Sequence, residues 1–220
     1  MTVEATSESG AGYPARLEID YPERLSRSRT LFRIILVIPI LVMLYLLTAG
    51  LSSVETESAI PELIIGIFGI SGGFLFLPPL LTLLFRRKYP RWWFDWNLEL
   101  SRFTERVAAY LSLLRDEYPS TDEQQAVHLD LDYPNVRQDL NGWLPLVKWA
   151  LAIPHYVVLT ILWVGEVVVV ILAWFAIIFT GRYPRGMFNY VVGVHRWTLR
   201  VNAYAWLLVT DRYPPFSLKA

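Results

Sequence analysis

The stretch from Trp143 to Thr180, WLPLVKWALAIPHYVVLTILWVGEVVVVILAWFAIIFT, decides the fold class. The chain contains no Lys or Arg from Trp149 to Gly181, and it contains none from Ile34 to Phe85. The helices of a large soluble all-α core would each need a polar face, and these two windows show none. The sequence therefore predicts a membrane protein.

The overall composition agrees with a membrane location and excludes several other classes. Hydrophobic residues make up 54% of the chain and charged residues 18%, against roughly 25% charged in an ordinary soluble domain. Twenty basic residues balance twenty acidic ones, so the chain lacks the basic excess that nucleic-acid binding requires. Cysteine is absent, which excludes disulfides, thiol catalysis and Cys-ligated zinc.

The lengths of the apolar runs predict two hydrophobic hairpins. The first hairpin has spans at about Leu31–Gly50 and Leu63–Phe85. As one helix, Trp143–Thr180 would measure roughly 57 Å, about twice the hydrocarbon core of a bilayer, so we predict that it folds back at Gly165-Glu166. Glu166 is interpreted as a solvated hairpin tip, with a buried acid as the alternative. The predicted fold class is mainly α: a polytopic membrane protein with four transmembrane helices in two tandem hairpin repeats.

The segments outside the hairpins predict cytoplasmic amphipathic helices and short strands. Apolar side chains recur at three- and four-residue steps after Trp96, and a similar helix is predicted at about Met187–Val209. The first of these helices fits a position on the membrane surface or packing against its own domain. Leu17–Tyr21 and Val127–Tyr133 alternate apolar and polar residues, and we expect these two strands to pair antiparallel in a small sheet.

The two hairpins belong to an internal repeat of the sequence. Charged and Tyr-Pro landmarks return in the same order in both halves: Leu17–Pro22 as Leu129–Pro134, Ile38-Pro39 as Ile153-Pro154, Lys88–Arg91 as Arg182–Arg185, and Asp116–Pro119 as Asp211–Pro214. Similarity between two apolar segments would not conserve such landmarks. We therefore predict a disordered tail at residues 1–12, a first repeat at 13–119 and a second repeat at 120–220, each with a strand, two spans and a surface helix.

The distribution of charge predicts the orientation in the membrane. No Lys or Arg lies in either predicted hairpin tip, and the tips carry acidic residues: Glu55, Glu57 and Glu62 in one, Glu166 in the other. Because positively charged loops stay in the cytoplasm, the tips are expected outside the cell. The prediction is a multi-pass protein of the cell membrane with both termini cytoplasmic.

Three motifs resemble a known family. They are Ile-Pro-His-Tyr at residues 153–156, Gly-Arg-Tyr-Pro-Arg-Gly at 181–186 and Thr-Asp-Arg-Tyr-Pro-Pro-Phe-Ser-Leu at 210–218. With them the chain resembles the uncharacterised prokaryotic membrane-protein family known as domain of unknown function 4389, over nearly everything after residue 12. The resemblance implies membrane topology. It implies no activity, and it transfers no catalytic residues.

His155 is the sharpest candidate for a functional side chain. It follows Pro154 inside a predicted span, and an ionisable residue in such a place is a functional hypothesis by default. The structural alternative is a neutral His that donates a hydrogen bond to the carbonyl freed by the proline or to a neighbouring helix. The matching position in the first half is Ile40, so the repeat itself does not require a histidine.

Four arginines of the amphipathic helices are further candidates. Arg102 and Arg106 return in the second half as Arg196 and Arg200. They can bind anionic lipid headgroups, or they can form ion pairs that lock the cytoplasmic layer together. The sequence leaves both possibilities open.

The sequence points away from an enzyme without naming a reaction. It contains no phosphate-binding loop, dinucleotide fingerprint, zinc-protease motif or nucleophile elbow, and no catalytic, cofactor-binding or metal-ligating residue is predicted. The preferred interpretation is a non-enzymatic scaffold or accessory subunit. The alternative is a small transporter or lipid-handling protein that works between the two repeats. Expected partners are membrane lipids, with another membrane protein or a second copy of the chain as open possibilities, and no nucleic acid.

Overall fold

The computed structural model describes residues 12–49, 77–121, 123, 125–136 and 140–219. The strands are β1 (Ala15–Ile19) and β2 (Val127–Leu131). The helices are α1 (Arg27–Ala49), α2 (Leu77–Arg86), α3 (Arg91–Leu111), α4 (Pro145–Leu151), α5 (Ile153–Thr180) and α6 (Arg185–Ala205). Residues 1–11 of the predicted tail and most of the second predicted span lie outside the described residues.

The two short strands form an antiparallel two-stranded sheet, as predicted. Leu17 lies opposite Leu129 at the centre of the register, and the pairing ends at Ala15↔Leu131 and Ile19↔Val127. Both strands alternate buried and exposed residues, so the apolar side chains share one face. The other face is exposed and mostly charged, and it carries Arg16, Glu18, Asp20, His128, Asp130 and Asp132.

The helices lie in two layers beneath the buried face of this sheet. In the first layer, α6 packs against β1 and α3 packs against β2. Each strand therefore packs on the amphipathic helix from the other half of the chain. In the second layer, α1 packs on α3 and α5 packs on α6, and α1 also contacts α5. The amphipathic helices predicted from sequence thus form the buried middle of the molecule.

The predicted hairpin within residues 143–180 is wrong, because α5 runs without a break from Ile153 to Thr180. Gly165 is a point of close helix approach: a Cβ at this position would lie 2.5 Å from the Tyr190 hydroxyl oxygen on α6. Glu166 is only 2% exposed, and it accepts hydrogen bonds from Ser112 Oγ and His195 Nε2. The acid that indicated a solvated tip is therefore a buried side chain with partners, so nothing forces the chain to turn there.

The four-span architecture is corrected by the same observation. Within the described residues, one helix, α5, is long and apolar enough to cross a membrane. At 1.5 Å per residue, its 28 residues extend over about 42 Å. The prediction that both termini lie on the same side of the membrane required an even number of spans. A single candidate span among the described residues no longer supports it. The finding supports association of the chain with a membrane through α5.

Residues at equivalent positions of the two repeats form equivalent ion pairs and cation–ring contacts. Arg33 pairs with Asp116 and lies over the ring of Tyr110. In the second half, Lys148 pairs with Asp211 and lies over the ring of Tyr204. Each aspartate also accepts a backbone N–H, from Ser26 in the first half and Asn141 in the second. These contacts anchor the start of the apolar segment to the chain that follows each amphipathic helix.

Candidate functional site

A buried cluster of ionisable side chains joins α3, α5 and α6. His195 of α6 is 3% exposed and lies between two carboxylates. Its Nδ1 atom is 3.2 Å from Glu105 Oε2, and its Nε2 atom is 2.8 Å from Glu166 Oε1. Ser112 Oγ donates to the same Glu166 oxygen at 3.0 Å. Charged groups buried this deeply persist only when they are paired, so the cluster is a specific arrangement of the fold.

The environment holds His195 in its charged form. Burial alone disfavours an imidazolium, but the charges of Glu166 and Glu105 and their hydrogen bonds outweigh burial and raise the pKa of His195 to about 10. Both ring nitrogens therefore carry protons near neutral pH. Nδ1–H donates to Glu105, and Nε2–H donates to Glu166.

This protonation state determines what the cluster can do chemically. A serine, a histidine and a glutamate are the residue types of a nucleophilic triad, and Ser112 Oγ lies 3.4 Å from His195 Nε2. A triad histidine must present an unprotonated nitrogen to the serine. Here Nε2 donates to Glu166, and the Ser112 hydroxyl donates to the same carboxylate. His195 therefore offers Ser112 no unprotonated nitrogen, and the contacts among Glu105, Glu166 and His195 link three helices.

His155, the sharpest sequence candidate, lies about 40 residues from His195 in the chain, in a separate aromatic environment. It is fully buried near the start of α5, and its Nδ1 atom accepts a hydrogen bond from Trp197 Nε1 at 3.0 Å. Its ring stacks on Phe216 at 4.0 Å between centroids and contacts Tyr213. In the structural alternative, His155 was expected to donate a hydrogen bond to the carbonyl freed by the proline or to a neighbouring helix. The neighbouring helix does supply the partner, but His155 is the acceptor.

Arg102 and Arg196 make equivalent contacts with the two strands. Arg102 Nε donates to the Leu129 carbonyl of β2 at 2.9 Å, and Arg196 Nε donates to the Leu17 carbonyl of β1 at 2.7 Å. Arg102 also pairs with Asp130. Each guanidinium thus ties the outer sheet to an amphipathic helix.

Arg106 and Arg200 bind backbone carbonyls of the segments that follow their helices. Arg106 donates to Ser120 O at 2.7 Å, and Arg200 donates to Ser217 O and Lys219 O. The guanidinium groups of all four candidate arginines therefore have protein partners. These contacts join none of the four guanidinium groups to His155 or to the cluster around His195, although Arg106 and Arg196 directly follow Glu105 and His195 in the chain.

Sequence reasoning missed the buried cluster and the buried cation at the start of each apolar segment. Glu166 is a lone acid inside an apolar run, which was a usable signal for a buried ionic contact. Arg33 and Lys148 each precede an Ile-Pro landmark by five residues, so the repeat could have identified them. His195 and Glu105 offered no such signal, because both lie on amphipathic helices that carry other charged residues.

Comparison with known proteins finds a family similarity within the second half of the chain. Residues 145–217 match the model of the family described as Domain of unknown function (DUF4389). This match covers α4, α5, α6 and the segment that follows them, and it includes His155, Glu166 and His195. No curated protein and no solved structure matches the chain. Among the described residues, no group of three His, Asp or Glu side chains could hold a metal ion. Residues 145–217 are thus similar to DUF4389, the family that the Ile-Pro-His-Tyr and Tyr-Pro motifs of this segment also indicate.

Proposed function

We propose that the protein is a membrane-attached, non-enzymatic scaffold or accessory subunit. The observation that carries this proposal is the exposed face of α5, which is apolar apart from Thr160 and Thr180. Ile161 is 67% exposed, Val164 64% and Phe179 75%. A soluble monomer rarely leaves so large a continuous apolar surface in water. Lipid is the environment that such a surface fits.

The opposite side of the molecule supports the scaffold role. The outer face of the sheet is charged and exposed, with Glu18, Asp20 and Asp130 among its side chains. A protein held in lipid by α5 would present this face to water and to a partner protein. The buried ionisable groups support the non-enzymatic part of the proposal, because Glu105, Glu166 and His195 are engaged with one another.

Cell fractionation tests the membrane attachment. The double variant Ile161→Glu/Val164→Glu places two charges on the exposed face of α5 and should move the protein from the membrane fraction to the soluble fraction. The double variant Glu18→Lys/Asp130→Lys changes two exposed side chains of the sheet and serves as the matched control, which should stay with the membrane. Equal membrane retention of both variants contradicts the proposal.

Complementation of a deletion phenotype tests the non-enzymatic role. The variant His195→Gln keeps two hydrogen-bonding positions but loses the charge and the ability to exchange protons. A scaffold should remain functional with this variant wherever its abundance matches the wild type. Loss of function at normal abundance would favour proton chemistry at the cluster. In the same assay, reversal of the sheet charges should impair function while membrane abundance is retained.

A further inference from the structure

The helix α6 runs back along α5 over most of its length. Residues 181–184 connect the two helices, so the end of α5 and the start of α6 are neighbours. Further along, Tyr190 donates from its hydroxyl to the Leu162 carbonyl at 2.9 Å. Near the start of α5, Trp197 donates to His155. The two helices are therefore antiparallel neighbours, and they must share one orientation relative to a membrane.

The charged sheet lies on the far side of α6 from α5. Arg196 of α6 donates to the Leu17 carbonyl of β1, which places the strand directly against this helix. The charged side chains of the sheet project away from the helices. The molecule is thus layered from a charged surface, through α6, to the apolar outer face of α5.

This layering decides between two ways in which α5 can meet a bilayer. If α5 crossed the bilayer, α6 and the charged sheet would lie at the depth of the hydrocarbon, where unpaired charges are strongly disfavoured. If α5 lies in the plane of the membrane, its exposed face enters lipid and the sheet stays in water. Only the second arrangement leaves the charged sheet solvated, and it is the arrangement of an interfacial amphipathic surface.

Two basic grooves lie beyond the two ends of α5. The groove at the C-terminal end is lined by three exposed cations, Arg24, Arg27 and Arg182. Another groove is lined by Arg86, Arg87 and Lys88, which are also exposed. The Arg87 Nε atom in this groove lies 3.9 Å from the position that a Cβ at Gly142 would occupy. Gly142 lies just ahead of α4 in the chain, so this groove lies beyond the N-terminal end of α5. The described residues that line the two grooves include no Asp or Glu.

Basic residues at both ends are the wrong pattern for a spanning helix. The positive-inside rule places Lys and Arg on one side of the membrane, whereas a spanning α5 would carry one basic groove across it. A helix in the membrane plane brings both grooves to headgroup level, where anionic phosphates attract them. We propose that α5 lies flat in the surface of an anionic bilayer, with its apolar face in lipid and the two grooves on headgroup phosphates. This inference rests on the proposed membrane attachment.

Depth measurements along α5 test the orientation. Because the chain has no cysteine, spin labels can be attached to full-length protein at Val157→Cys, Val164→Cys or Phe179→Cys, with Glu18→Cys as a water-exposed control. The protein is reconstituted in vesicles of phosphatidylglycerol and phosphatidylcholine. Oxygen accessibility relative to a water-soluble nickel chelate then reports depth. We expect the labels at the three α5 positions to lie at similar shallow depths, roughly 5–10 Å below the phosphates. The label at Glu18→Cys should remain in water.

The other outcomes of this experiment are distinct. A label at Val164 that lies more than about 10 Å deeper than the label at Phe179 would show a spanning helix and overturn the in-plane proposal, while leaving membrane attachment intact. Water-like accessibility at all three α5 positions would overturn the attachment itself, and with it the proposed function.

A lipid-selectivity measurement tests the grooves. The triple variant Arg24→Gln/Arg27→Gln/Arg182→Gln removes the charge of one groove, and Arg16→Gln on the sheet is the matched control. Spin-labelled phosphatidylglycerol and phosphatidylcholine report the preference for anionic lipid at the protein surface. We expect the triple variant to lower this preference at least two-fold and the control to leave it unchanged. An unchanged preference in the triple variant would overturn the assignment of the groove to headgroup phosphates.

Discussion

The ammonium group of Lys148 lies 2.7 Å from Asp211 Oδ1, and none of the Lys148 side chain is exposed to solvent. The same nitrogen donates to the Thr210 carbonyl at 2.7 Å. Burial lowers the pKa of Lys148, and Asp211 opposes that shift by its hydrogen bond and its charge. The carboxylate therefore offsets part of the cost of burying a cation at the point where the apolar segment begins.

Removal of this carboxylate should destabilise the fold strongly. In Asp211→Asn the buried ammonium loses its counter-ion, and such losses cost about 3–5 kcal/mol of unfolding free energy. The matched control is Asp132→Asn, which breaks the exposed pair with Arg16 and should cost less than about 1 kcal/mol. Chemical denaturation in detergent measures both. Similar losses for the two variants would contradict the buried position of Lys148.

The contact between Glu166 and His195 should show strong coupling in a double-mutant cycle. Glu166→Leu alone leaves His195 with one carboxylate fewer, and we expect a loss of about 3 kcal/mol. Combining it with His195→Leu removes the buried cation as well, so the double variant should be more stable than the sum of the two single effects predicts. Thr160→Ala, an exposed change on the same helix, is the control. Additive effects would argue against a direct pair.

The stability of the protein should decrease as the pH rises above neutrality. The pKa of His195 is raised from 6.5 to about 10 in the folded state, so its contribution is fully present below about pH 6.5 and is lost as the pH approaches 10. The loss should be on the order of a few kcal/mol. Thermal unfolding between pH 6 and pH 10.5 measures it. The variant His195→Gln should flatten this dependence; an equally steep decline in that variant would assign the effect to other groups.

Local pattern was enough to predict the sheet and the amphipathic helices. Leu17 and Leu129 occupy matching places in the repeat, and equivalent strands that pair directly across an approximate two-fold axis are antiparallel. The structure places these two residues opposite each other. The apolar periodicity from Trp96 to Leu114 likewise predicted α3, although the exact position of this helix against β2 depends on contacts that are distant in sequence.

Sequence reasoning failed where a tertiary contact satisfied a polar residue. Glu166 interrupts an apolar run, and a chain without partners would expose it at a turn. The fold instead supplies Ser112 from the C-terminal cap of α3 and His195 from α6, which lie more than 25 residues away on either side. No local rule contains that information. The same limitation applies to Arg102 and Arg196, whose strand carbonyl partners are known only once the strands have been placed.

Substitutions of His155 should separate its acceptor role from its packing. In His155→Gln the side-chain oxygen can still accept from Trp197, so we expect near-wild-type stability. In His155→Leu the indole N–H of Trp197 loses its partner, with a loss of about 1–2 kcal/mol of unfolding free energy. Tryptophan fluorescence during denaturation measures both variants. If the glutamine variant folds normally but abolishes a cellular phenotype, an ionisable role for His155 is favoured over a structural one.

A pair of glycines in α6 should respond in opposite ways to alanine. A Cβ at Gly193 would lie 2.8 Å from Leu218 Cβ and 2.9 Å from the Leu218 carbonyl oxygen, so the backbone of the C-terminal segment would have to move. We expect Gly193→Ala to destabilise the protein by about 1–3 kcal/mol.

Gly186 is the matched control for Gly193, because a Cβ there would meet nothing within 4 Å. Alanine at this position should be neutral or stabilise the helix by up to about 1 kcal/mol, since glycine is the weaker helix former. Protease digestion near the C-terminus adds a local measurement, and it should be faster only in Gly193→Ala. Equal stability and equal digestion in the two variants would show that residues 217–219 do not pack on α6, and the carbonyl contacts of Arg200 would then lose their support.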